Sequence, residues 1–230
     1  MLAALHAHIP TAILLLDAAA AAKSHVPPAH DGTSLGHLTF LLDHPVWSAH
    51  VAAVLADHPD LSIGLHSLDA SFQSPLHLAL ETSAHATMEI ILRRVPHLNV
   101  NVPNKEGHTP LHHACEQGDT RAVRALASHP SANPLARGNQ GCTPLHFAVG
   151  NGHVDIVRFL IETFPHLARL DANPESSPYG LTLVQFALSN NHSAVAALLR
   201  RALAASHPLA GVEELPGASN LPAFRKQRHP

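Results

Sequence analysis

The chain has 230 residues, of which 46% are hydrophobic, 4% aromatic and 13% charged. A core of useful size is possible, but it must be built from Ala, Leu, Val and Ile, which suits closely packed helices better than a β-sandwich. Fourteen basic against 17 acidic residues leave a formal net charge of −3, which argues against nucleic-acid binding, a role that ordinarily shows a basic face.

The N-terminal stretch MLAALHAHIPTAILLLDAAAAAKS is apolar and Ala-rich. It lacks an early Lys or Arg, and Pro10 and Asp17 interrupt it, so it does not read as a secretory leader. No segment has the roughly 18 uninterrupted apolar residues of a membrane span. Thr11–Leu16 resembles the later segment Asp155–Leu160, which suggests a lone helix capping an array over residues 1–30. Asp31–Leu35 and His50–Leu55 read as the turn and second helix of a degraded unit over 31–67.

Four clearer units follow over 68–200. The first contains SPLHLALETSAHATMEIIL (74–92), read with one extra residue between its two helices. The next two, GHTPLHHACEQGDTRAVRAL (107–126) and GCTPLHFAVGNGHVDIVRFL (141–160), align without a gap at an offset of 34. The last, GLTLVQFALSNNHSAVAALL (180–199), lies 39 residues on, so a longer loop precedes it. Beyond 207 the helical period is lost. Residues 208–230 are rich in Pro and Gly and read as a flexible tail with a short basic cluster at Arg225–Arg228.

The repeated residues have a helical logic. Thr109 and Thr143 are N-caps, and Pro110 and Pro144 occupy the first helical position, where a missing N–H is harmless. His112 and His146 at the third position can bond back to the cap. In the last unit Gln185 takes that place, giving the capping box Thr182-x-x-Gln185. A metal ligand or general base would not tolerate that exchange. Gly118 and Gly152, with Asn191 in the last unit, stand where a left-handed residue ends the first helix. Glu106-Gly107, Gln140-Gly141 and Tyr179-Gly180 are turn dipeptides ahead of each cap.

This pattern resembles the ankyrin repeat family, through T-P-L-H-x-A at Thr109–Ala114 and Thr143–Ala148, and with Ser for Thr at Ser74–Ala79. The resemblance implies an all-α solenoid over 31–207, whose units are helix–turn–helix pairs with a projecting hairpin or loop finger. Leu111, Ala114, Val123 and Leu126 would then pack against Leu145, Ala148, Val157 and Leu160. It also implies a protein–protein interaction module: a monomeric adaptor, inhibitor or assembly chaperone binding a partner protein through a concave face and the fingers.

The positions expected to meet a partner vary between copies while flanking the motif. On the fingers these are Phe72, Gln73, Lys105, His108, Asn139, Gln140 and Tyr179; on the first helices, His113, Gln117, Phe147 and Asn151. No catalytic residue, metal site or cofactor is expected. There is no Gly-x-Ser-x-Gly elbow, phosphate-cradling loop, Cys-x-x-Cys or His-Glu-x-x-His. Cys142, beside a finger turn, could be exposed, but a reactive thiol also needs a depressed pKa, which sequence does not show. Two cysteines make no disulfide framework, and a reducing compartment, cytoplasm or nucleus, is the simpler expectation. Two other readings stay open: an ankyrin part of a larger enzyme, or a binder made pH- or metal-responsive by its 22 histidines.

Overall fold

The computed structural model describes residues 67–169 and 178–206, with His50 and Val54. The cap expected over 1–30, most of the degraded unit over 31–67 and the tail over 208–230 lie outside the described residues. His50 and Val54 are helical, and Val54 packs against the core.

The described residues form helix pairs and contain no strand. The pairs are α1 (Pro75–Glu81) with α2 (His85–Arg94), α3 (Pro110–Gln117) with α4 (Thr120–Ala127), α5 (Pro144–Gly150) with α6 (Val154–Thr163), and α7 (Leu183–Ser189) with α8 (Ser193–Ser206). A 3₁₀ turn at Pro165–Arg169 follows α6 and buries Leu167 and Ala168. First helices pack in file, α1 on α3 on α5 on α7, and second helices do the same, α2 on α4 on α6 on α8.

One apolar cluster runs through all four units. Leu76, Leu111, Leu145 and Val184 occupy its equivalent first-helix positions, all almost fully buried. Ala79, Ala114, Ala148 and Ala187 follow three residues later, each at most 2% exposed. Helices this close leave room only for a methyl group, and a larger side chain would overpack the file. In the second helices Met88, Val123, Val157 and Ala196 form one row, and Ile91, Leu126, Leu160 and Leu199 another.

These rows correct the expected register of residues 74–92. Ser83 carries the left-handed φ of 56° that Gly118 shows at 79°. Met88 and Ile91 then fill the places of Val123 and Leu126. No residue is inserted between α1 and α2. The extra one falls after α2, whose ten residues exceed the eight of α4.

Every first helix ends alike. The residue after the left-handed position donates its N–H to the alanine carbonyl of the row above: Ala84 to Ala79, Asp119 to Ala114, His153 to Ala148 and His192 to Ala187, at 2.8–3.0 Å. This closes carbonyls the helix cannot satisfy itself.

Every first helix also begins alike, with a capping box at Ser74, Thr109, Thr143 and Thr182. In three units the box is built with histidine. Thr109 N–H donates to His112 Nδ1 at 3.0 Å, and Thr143 N–H to His146 Nδ1 at 3.1 Å. An Nδ1 that accepts holds no proton, so the ring proton lies on Nε2. In two of these rings Nε2 reaches the next unit: His77 donates to the His108 carbonyl at 3.0 Å, and His112 to the Cys142 carbonyl at 3.1 Å. The same carbonyls close their own fingers by accepting from Asn104 N–H and Gly138 N–H.

A second set of imidazoles runs the other way. His153 Nε2 donates to the Glu116 carbonyl at 3.2 Å, and His192 Nε2 to the Gly150 carbonyl at 3.0 Å. Their rings lie directly over Gly118 and Gly152, where a Cβ would stand 2.5 Å from a ring atom. Glycine is thus required twice at each place, by backbone angle and by the ring above it. In the first pair His85 Nε2 instead bonds Asp119 Oδ2, while Asp119 Oδ1 caps α4 through Ala122 N–H.

Burial, the largest cause, holds His77 and His112 down at about 4, against an ordinary 6.5; carbonyl bonds offset this in part, and neighbouring imidazoles add to it. Between pH 6.5 and 4 the unfolded chain therefore binds more protons than the folded one, and stability rises with pH across that window. From pH 7 down to 5.5 these two rings should remove about 2.5 kcal/mol of stability, levelling off near pH 4. Urea titrations at stepped pH check this. Replacing both rings with Gln, the residue used at 185, should flatten that part of the profile.

Gly118→Ala should cost about 2–3 kcal/mol through its φ and the His153 ring. Ser83→Gly, relieving a left-handed side chain, should add about 1 kcal/mol. Denaturation midpoints of the two variants should move in opposite directions.

Candidate partner-binding face

The fingers and first helices present one continuous side of the array. Three fingers close as identical five-residue turns, Asp69–Gln73, Asn104–His108 and Gly138–Cys142. Asp69 and Asn104 side chains brace theirs by accepting two backbone N–H groups each. Adjacent fingers are tied together: Asn139 N–H donates to the Glu106 carbonyl, and Asn139 Nδ2 to the Lys105 carbonyl, both at 3.0 Å. Lys105 and Asn139, both exposed, thus meet through a structural bond, while Lys105 Nζ lies 3.6 Å from Glu106. Gln140, beside them, is exposed.

Rings form the wall behind the fingers. His108 meets Phe147 edge-on at 4.8 Å between centroids and stacks on His112 at 5.5 Å. Further along, Tyr179 stacks on Phe186 at 4.6 Å. Edge and offset contacts of this kind add to area burial. Phe186 fills the helix position of Phe147 one unit on, and repeat alignment alone would have found it. Burial chiefly lowers the His108 pKa; Glu116 and Glu106 oppose the shift and His113 adds to it.

On the first helices Gln117 Nε2 donates to His113 Nε2 at 3.1 Å, and Asn151 Nδ2 donates to the Phe147 carbonyl at 3.1 Å. Gln73 Nε2 donates to Glu81 Oε1 at 2.6 Å. The expected partner positions therefore gather as three local groups: His108 with Phe147, His113 with Gln117, and Lys105 with Asn139. Phe72 and Tyr179 stand apart, on the first and last described fingers.

Phe72, one of the expected finger positions, has a backbone that its sequence does not announce. It occupies the finger place taken elsewhere by Gly107, Gly141 and Gly180, with a φ of 58° against their 74°, 78° and 64°. A bulky residue in this region is an outlier. Its side chain is also 56% exposed, with Leu68 at 38% nearby in the chain.

Cys142 corrects an expectation. It is buried at 1% exposure, not accessible, because its finger folds under Tyr179, whose hydroxyl lies 2.8 Å from Sγ. Burial, then that contact, pushes the Tyr179 phenol up. Cys115 is fully buried, and burial alone pushes its thiol up. Neither sulfur is presented as a nucleophile. Among the described residues no group of three His, Cys, Asp or Glu could hold a metal ion.

Charge is divided between the two sides. No Lys or Arg lies in α1, α3, α5 or α7, while Glu81 and Glu116 do. The second helices carry Arg93 and Arg94, Arg121 and Arg124, Arg158, and Arg200 and Arg201. No described helix is long and apolar enough to cross a membrane.

Stacked helix pairs with tied fingers, and a repeated interior that leaves only the flanking positions free to vary, define a repeat scaffold of the protein-interaction class. The family model for ankyrin repeats, described as three copies, matches residues 1–137, 76–171 and 131–207. The chain belongs to the ankyrin repeat family. It is similar to NF-kappa-B inhibitor alpha of Gallus gallus, 32% identical over 99 residues, which are 43% of this chain and 30% of that protein. It is also similar to ankyrin repeat domain-containing protein 63 of Mus musculus, 29% identical over 160 residues, 68% of this chain and 40% of that one. The chain thus spans less than half the length of either relative. Its fold is that of the crystallised ankyrin repeat domain of Bcl-3, with a TM-score of 0.62 at 24% identity, covering 75% of this chain and 73% of that one.

If burial under Phe147 is what depresses His108, Phe147→Ala should return the His108 imidazole toward 6.5. The same change should cost about 2–3 kcal/mol of stability. NMR titration of the ring protons and a denaturation curve read the two effects separately.

Proposed function

We propose that the chain is a non-catalytic adaptor, inhibitor or assembly chaperone that binds one partner protein as a monomer in the cytoplasm or nucleus. Contact is made through the fingers and first helices, at Phe72, Gln73, Lys105, His108, His113, Gln117, Asn139, Gln140, Phe147, Asn151 and Tyr179. Phe72 carries this reading. A left-handed backbone costs a non-glycine residue about 1–2 kcal/mol, and a ring that is 56% exposed offsets little of that through packing. Backbone strain that packing does not offset points to function. The name of one relative, an inhibitor of NF-kappa-B, agrees with binding as the activity. Glu81 and Glu116, on helices without a single cation, favour a partner segment with basic side chains beside its apolar ones.

One observation favours a second role for the histidines. His77 and His112 resist protonation inside the array, so acid would loosen the scaffold itself and weaken binding indirectly.

Phe72→Gly separates binding from folding. It should raise stability by about 1 kcal/mol by relieving the turn. In affinity purification followed by mass spectrometry it should lose a protein that the wild-type chain retains, and the pair Phe147→Ala with Gln117→Ala should lose the same protein. A Phe72→Gly chain that is stabilised yet recovers every partner at wild-type level would remove the reading.

A further inference from the structure

The side away from the fingers holds a cleft of about 510 Å³ between α2 and α4. That lies within the roughly 300–1,000 Å³ typical of ligand clefts. Leu92, Pro96, Ala125 and Pro130 supply apolar surface, and Arg93, Arg121 and Arg124 stand around it. The three cations are not equivalent. Arg121 Nε donates to Glu89 Oε1 at 2.7 Å, so its charge is matched. The Arg124 guanidinium lies 4.6 Å over the Phe159 ring, which fixes its position without neutralising it. Neither Arg93 nor Arg124 forms a salt bridge among the described residues, although Arg93 is near enough to Glu89 to help hold its carboxyl down. Both are exposed.

We propose that this cleft docks an acidic peptide segment of a partner protein, with an apolar side chain set between its carboxylates. Guanidinium groups bind carboxylates bidentately, and Arg93 and Arg124 are the two free to do so. The apolar surface between them takes the uncharged side chain. A nucleic-acid backbone fits less well, because it offers no apolar side chain for the surface between the two guanidinium groups. The site is independent of the finger face, and it would let one chain hold two partners on opposite sides.

The test uses the full chain and a fluorescein-labelled peptide, Glu-Glu-Leu-Glu-Glu, read by fluorescence anisotropy. Binding should be measurable at low salt. It should weaken at least 10-fold in the Arg93→Gln/Arg124→Gln variant and at least 5-fold when the peptide's Leu is replaced by Gly. Circular dichroism establishes that the variant is folded, and should it unfold, Ala125→Glu, which puts a carboxylate in the cleft, is expected to give the same loss. Phe72→Gly should bind the peptide like the wild-type chain, which keeps this result separate from that for the finger face. Equal affinity for the Gly peptide would overturn the proposal, as would binding unchanged in the variants. A single-stranded RNA oligonucleotide that displaces the peptide as well as unlabelled peptide does would also overturn it, by showing an undirected polyanion surface.

Discussion

The array depends on an imidazole that is neutral and fully committed at both nitrogens. In His112 one nitrogen accepts from the cap of its own helix and the other donates to the carbonyl that closes the next finger. One side chain thus joins the start of a helix, the end of a loop and the boundary between two units. Apolar stacking is non-directional and would tolerate units sliding past one another. The two bonds of His77 and of His112 fix the register of that stacking at about 3 Å.

That commitment explains much of the histidine content without invoking metal or catalysis. His77, His112 and His146 build caps, and His153 and His192 close the ends of preceding first helices. His129, buried beside α4, lies against the Val95 carbonyl and the Ser131 hydroxyl. A neutral imidazole offers a donor and an acceptor on opposite sides of a flat ring, a combination suited to bridging backbone groups across a narrow gap. Gln185 keeps only the local half of the work. Its side chain oxygen accepts from Thr182 N–H at 2.9 Å, and no further described unit follows α7 and α8 for it to reach.

Local features of the fold were legible in the sequence because their cause is local. Thr-Pro-x-His announces a cap, and Gly118, Gly152 and Asn191 announce a left-handed helix end; all took those places. Misreadings arose where a local rule was broken. Ser83 adopts the left-handed angle without being Gly or Asn, so the register of α2 was shifted by one. Phe72 does the same in a finger, where its variability marks the position but nothing in the sequence marks its strain. Contacts between units were hidden for another reason: a carbonyl leaves no mark on sequence, and nothing in Cys142 announces that Tyr179, 37 residues on, covers it.

The candidate faces follow from the same division of labour. Residues that face a neighbouring unit are held to apolar chemistry, and in the alanine row to one size as well, so they are poorly placed to encode a partner. Information can reside only where units differ and packing is indifferent. On the finger side that leaves the rings of His108, Phe147 and Tyr179 and the strained Phe72. On the opposite side packing constrains only the inner half of each second helix and leaves the outer half to charge. Arginine there can lay its aliphatic stem on the helix surface and keep its guanidinium in water, so a cationic side need not compete with the core beneath it. A chain of nearly balanced net charge can in this way present two electrostatically distinct sides, because one helix of each pair excludes the cations that the other collects.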